Sequence, residues 1–131
     1  MESGIFKVPA RFSWEALKRI TSRPDVLIAS LPFPGSLDGK TVSIRLPGKV
    51  FGFAFSGSFE MTYADNTTTY IMKSPLGLLI VTIQLDGGFL VSRASADLDE
   101  RFLKKSSSKL RRALGGLPWR FLRATRELYQ K

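Results

Sequence analysis

The sequence predicts an α+β fold in which a curved antiparallel sheet wraps around a long C-terminal helix. Three observations predict it. Apolar and polar residues alternate with period two through most of residues 41–96, the signature of strands with one buried face. From residue 97 onward the pattern switches to a helical period, with leucines on one side and arginines on the other. Two short, capped helical segments separate a first alternating stretch from the rest. With 131 residues, one domain spanning 1–131 is expected.

Each element follows in order. Residues 4–12, "GIFKVPARF", put Phe6, Val8, Ala10 and Phe12 on one side and Lys7 and Arg11 on the other, so they read as a strand. Pro9 places it near a sheet edge. Ser13 suits an N-cap for a short helix with Trp14, Leu17 and Ile20 as its apolar stripe. A second short helix begins around Ser22 and Pro24 and stops before Pro32. "PFPGSLDG" reads as a loop. Strands are then expected over 41–46, 50–55, 58–63, 67–73, 78–85 and 89–96, with turns at "PG", "ADN", "SPLG" and "DGG". The run 78–85 is the most apolar and so central. That makes seven strands, the last six forming a consecutive meander. The final helix is expected to be capped by Asp97 with Glu100 three residues on. On a wheel of ~100° per residue, Leu103, Leu110, Leu114, Leu117, Phe121, Ala124 and Leu128 lie within about 40° of one line. That phase survives Gly115, Gly116 and Pro118, which predicts one kinked helix.

Composition removes whole classes of chemistry. There is no Cys and no His, hence no disulfide, no thiolate or imidazole metal site, and no Cys or His catalysis. No cofactor is implied. Of the carboxylates, Glu60 lies mid-strand but alternates away from Phe59, Met61 and Tyr63. "GGLP" has no Lys-Ser partner and is no phosphate loop. Asn occurs once and Gln twice, which hints at a thermophilic source. No signal peptide is visible, and the longest apolar run is half a bilayer span, so a soluble cytoplasmic protein is expected. The net charge of +9 favours anionic partners.

The order of strand, two short helices, six strands and long helix resembles the START-like or helix-grip superfamily (SRPBCC, pollen-allergen-like). "FKVPARFSWEALKRI" resembles the first strand and helix of those domains, and "KLRRALGGLPWRFLRATRELYQK" resembles the helix that grips the sheet. The best-fitting group within it is a small archaeal one. The resemblance implies a cavity between sheet and helix, and binding or transport of a hydrophobic small molecule, fatty-acid-like or another lipid. Some members, of the polyketide cyclase type, carry out reactions in that cavity, but no catalytic residue transfers.

The expected cavity wall combines Phe53, Phe55, Phe59, Met61, Tyr63, Tyr70, Met72, Leu114, Leu117 and Phe121, an apolar lining that a lipid-like ligand requires. The same residues would equally fill an ordinary core. Leu31 and Phe33 would border an entrance. Arg93 is the expected carboxylate-binding residue, because it shares its side with Phe89 and Val91. Lys105, Arg112, Arg123 and Arg126 would form a basic outer face suited to an anionic membrane surface. Nucleic-acid binding fits less well, since no sheet with exposed stacking aromatics is evident.

Overall fold

The computed structural model describes residues 4–9, 11, 13–29, 35–46, 53–101 and 108–130. Seven strands form a single antiparallel sheet in the order β1-β7-β6-β5-β4-β3-β2. The strands are β1 (Phe6–Pro9), β2 (Gly35–Asp38), β3 (Thr41–Leu46), β4 (Phe53–Ala64), β5 (Thr67–Ser74), β6 (Gly77–Asp86) and β7 (Phe89–Leu98). Two short helices, α1 (Trp14–Thr21) and α2 (Pro24–Ala29), follow β1, and α3 (Ser108–Gln130) is the C-terminal helix. This is the helix-grip architecture. The predicted loop "PFPGSLDG" gives way to a strand at Gly35–Asp38, paired with β3 through a two-residue turn at Gly39 and Lys40. An Asp-Gly pair followed by alternation is a hairpin signal, and Gly39 takes the positive φ that such a turn requires.

The expected strands at 50–55 and 58–63 are one continuous strand. Phe53, Phe55, Phe59, Met61 and Tyr63 keep a single phase along β4 because the chain passes straight through Gly57. A Cβ at Gly57 would stand 1.7 Å from the Lys73 carbonyl oxygen, so only glycine lets β5 approach there. The missed strand and the divided strand offset each other, which is why the number seven still holds. Asp65 and Asn66 both adopt positive φ in the β4–β5 turn, as the "ADN" signal implied. The expected turn at "PG" lies outside the described residues.

At α1 the Ser13 Oγ accepts from the Ala16 N–H at 3.1 Å, and Leu17, Ile20 and Thr21 turn inward. The predicted cap at Asp97 is displaced. Asp97 is still part of β7, and it is Asp99 whose Oδ1 accepts from the Arg101 N–H at 2.8 Å. The strand ladder with β6 runs on to Leu98 and so delays the helix signal by two residues.

The core lies between the concave face of the sheet and the helices. Leu17, Val42, Ile44, Phe55, Tyr70, Met72, Val81, Ile83, Leu90, Leu117, Phe121 and Leu122 are its most completely buried members. α3 packs chiefly on β7, with further contacts to β1, β6, α1 and α2. Burial on two sides widens its apolar arc. Pro118, Leu122 and Thr125 are buried together with Leu117 and Phe121, while Ala124 and Leu128 are only half-buried. The helix runs unbroken through Pro118.

Candidate ligand-binding face

The concave face carries most of the predicted wall. Phe55, Phe59, Tyr70 and Met72 are buried on β4 and β5, and Leu117 and Phe121 meet them from α3. The Tyr70 ring is central. It stacks with Phe59 at 5.9 Å between centroids and takes the Phe121 ring edge-on at 5.8 Å. Its hydroxyl donates to the Thr21 carbonyl oxygen at 3.0 Å. Burial, and then the neighbouring Tyr63, hold the Tyr70 phenol well above the usual tyrosine range.

Phe53, Met61 and Tyr63 belong to the same face but are only half-buried. Their apolar surface continues the core without the full cover given to Phe55 and Phe59. At the end of β4 opposite Phe53, Tyr63 meets Trp14 of α1 edge-on at 6.1 Å. The Lys18 ammonium stands over both rings, at 5.8 Å from Trp14 and 5.9 Å from Tyr63. The Tyr63 hydroxyl donates to the Met61 Sδ at 3.5 Å.

Not every predicted residue is brought to this face within the described structure. Arg93 is exposed on the opposite, outer face of the sheet, because the residues of β7 that turn inward are Leu90, Ser92, Ala94, Ala96 and Leu98. Sharing a side with Phe89 and Val91 put it outside, since that side of β7 is the solvent side. It lines an outer hollow with Ile5, Ile80 and Thr82. Leu31 and Phe33, and the side chain of Leu114, lie outside the described residues, as does Lys105. Arg112, Arg123 and Arg126 are exposed on α3, as expected of an outer basic face.

Sequence reasoning missed Trp14 and Lys18 as members of the site. Their i, i+4 spacing on a capped helix places both on one side and was the available signal. It also missed the buried hydroxyl pair Thr21 and Thr68, whose Oγ1 atoms lie 3.1 Å apart. No periodic pattern marks that pair. Thr21 Oγ1 also donates to the Leu17 carbonyl oxygen at 2.8 Å. Among the described residues, no buried side-chain nitrogen or oxygen lacks a hydrogen-bond partner. No group of three or more carboxylates positioned to hold a metal ion occurs among them.

The molecule is thus a helix-grip protein with an apolar concave face, and comparison with solved structures places that fold among known examples. The chain is similar to TTHA0849 from Thermus thermophilus, with a TM-score of 0.60 at 11% identity, over 99% of this chain and 97% of that one. It is similar to the aromatase/cyclase Zhui from Streptomyces sp. R1128, with a TM-score of 0.54 at 11% identity, over 99% and 92%. It also matches the di-domain aromatase/cyclase BexL from the BE-7585A biosynthetic pathway, with a TM-score of 0.61 at 10% identity. There it covers all of this chain and 50% of BexL. No family model matches the sequence. No curated protein matches it. At these identities the likeness concerns the fold. No helix of the described residues is long and apolar enough to cross a membrane.

Proposed function

We propose that this protein binds or carries an apolar small molecule, fatty-acid-like or another lipid, between the concave face of the sheet and α3. The observation that carries the reading is the graded burial along β4. Phe55 and Phe59 are sealed, whereas Phe53 at one end of the strand and Met61 and Tyr63 at the other lie on the same apolar face half-covered. A ligand would complete the burial of those side chains, a gain of about 25 cal/mol per Å² of apolar area removed from water. Met61 and Met72 adapt to ligand shape. Phe53, Phe55, Phe59, Met61, Tyr63, Tyr70, Met72, Leu117 and Phe121 form the wall, with Leu114 proposed as part of it and Leu31 and Phe33 proposed at its entrance.

A second reading, an enzyme of the polyketide aromatase/cyclase type, draws equal support from the structural neighbours. The chemistry of the interior favours binding. The polar side chains buried among the described residues are Thr21, Thr68, Ser92 and Thr125, together with the Tyr70 hydroxyl, and all are engaged in hydrogen bonds. No carboxylate or ammonium is buried among them to move a proton.

Native mass spectrometry of the purified protein, followed by organic extraction, tests the first reading. An apolar molecule released on denaturation supports it. An empty protein that also fails to take up a panel of fatty acids refutes it. Conversion of a linear polyketide thioester mimic to a cyclised product would establish the second reading instead.

A further inference from the structure

The large apolar side chains that stand exposed among the described residues are Ile5, Phe89 and Trp119, and all three border the edge strand β1. Ile5, 62% exposed, immediately precedes the strand and shares a hollow with Arg93 of β7. Phe89, 44% exposed, is the ladder partner of Pro9 at the other end of the strand. Trp119, 44% exposed, comes from α3 and lines a hollow of about 290 Å³ with Val8 of β1 and with Arg123, Arg126 and Glu127.

Single exposed apolar residues are ordinary. Three spread along one edge strand, Ile5 and Phe89 at its two ends and Trp119 on its helix side, with cations beside them, are not. On the α3 wheel, Arg112, Arg123 and Arg126 lie within about 40° of Trp119. Lys7 is exposed on β1 itself, and Arg93 lies beside Ile5. The opposing charges are few: Glu127, which pairs with Arg123 at 3.2 Å, and Asp86, opposite Phe89 in the ladder. Apolar tips framed by cations match a surface whose phosphates lie just above its acyl chains. An indole is the side chain best suited to that boundary. A nucleic-acid strand fits less well, because Ile5 offers no π face for a base to stack on.

We propose that the β1 edge, together with the outer side of α3, docks on the surface of an anionic lipid bilayer. The surface lies outside the concave face, so it stands or falls separately from ligand binding.

The chain has two tryptophans, and Trp14→Phe leaves Trp119 as the only reporter. That protein is mixed with phosphatidylglycerol vesicles and with phosphatidylcholine vesicles. The expected result is co-sedimentation with the anionic vesicles alone, lost at high salt. Trp119 emission shifts to the blue and is quenched by brominated acyl chains. Replacing Arg123 and Arg126 by Gln weakens partitioning about fivefold per residue, hence about twenty-fivefold together. Ile5→Ser and Phe89→Ser weaken it at every salt concentration. All four positions are exposed, so the variants should melt with the parent protein, and a melting comparison controls for folding. Absence of co-sedimentation overturns the proposal. So does binding in which Trp119 remains unquenched. A single-stranded oligonucleotide that binds more tightly than the vesicles and displaces them would assign the surface to nucleic acid and overturn it as well.

Discussion

Tyr70→Phe removes one oxygen atom from the middle of the protein and leaves the rest of the core in place. The stack on Phe59 and the edge contact with Phe121 involve only the ring, so both persist. What is lost is the bond to the Thr21 carbonyl, which closes the last turn of α1 onto β5. A hydrogen bond of this kind contributes about 1 kcal/mol net, and a buried carbonyl left without a donor costs about 1–3 kcal/mol. Thr21 is fully buried, so water does not readily replace the phenol. A loss of about 2 kcal/mol is expected. With a urea m-value of about 2 kcal/mol/M for a chain of this size, the unfolding midpoint falls by about 1 M at unchanged m. A shift below about 0.2 M would refute the reasoning, because it would mean that the bond is absent or that solvent reaches the site. The same residue gives a pH signature. Its folded pKa is raised, so below about pH 10 the phenol is neutral in both states and stability is unaffected. Above that, the unfolded chain loses the proton and the native protein keeps it. Stability then falls by about 1.4 kcal/mol per pH unit until the native phenol titrates. The Tyr70→Phe protein should lack this component, seen as the difference between the two proteins in urea melts from neutral to alkaline pH.

Gly57→Ala should destabilise by about 3 kcal/mol or more, or prevent folding, because its Cβ has no room beside the Lys73 carbonyl; a urea midpoint unchanged from the parent would contradict the close approach. Gly116→Ala should stabilise by up to about 1 kcal/mol, since no described atom lies within 4 Å of the added carbon and alanine is the better helix former. If fatty-acid uptake slows in the same variant, bending of α3 at the glycines admits the ligand; unchanged uptake rates would exclude that. Lys18→Met should cost about 0.5–1 kcal/mol and alter Trp14 emission, through loss of the cation held over Trp14 and Tyr63.

The sheet was legible because alternation survives wherever one face is buried, and the strands from Thr67 to Leu98 follow it with little error. The burial phase of β4 was legible too, but its continuity was not. A glycine flanked by serines reads as a turn unless the approach of Lys73 is known. Arg93 shows the limit of alternation. The pattern sorts residues into two sides, but the side holding Phe89 and Val91 is apolar without being internal. Deciding between the sides requires the helix, and α3 covers the side of Leu90 and Ser92. Thr21 and Thr68 were invisible for a different reason, since a hydroxyl pair 47 residues apart in sequence leaves no periodic trace.

α3 lies over one half of the concave face. The helix rests chiefly on β7, with β1 and β6 beside it, so its apolar arc is used up on that half of the sheet. Phe121 reaches as far as Tyr70 on β5, and there the α3 cover meets α1 through the Tyr70–Thr21 bond. Beyond that line Phe55 and Phe59 of β4 and Val42, Ile44 and Leu46 of β3 are still buried, and at the Tyr63 end of β4 the ring of Trp14, at the start of α1, packs against Tyr63. A protein whose only task was to be stable would be expected to bury Phe53, Met61 and Tyr63 as fully as Phe55, because each half-exposed aromatic forgoes part of the ~1.5–3 kcal/mol that complete burial contributes. The sheet instead leaves Phe53 at one end of β4, and Met61 and Tyr63 at the other, half-covered. Under the function proposed above, the Met61–Tyr63 end of β4, beside Trp14 and Lys18, is where an apolar ligand would complete the burial.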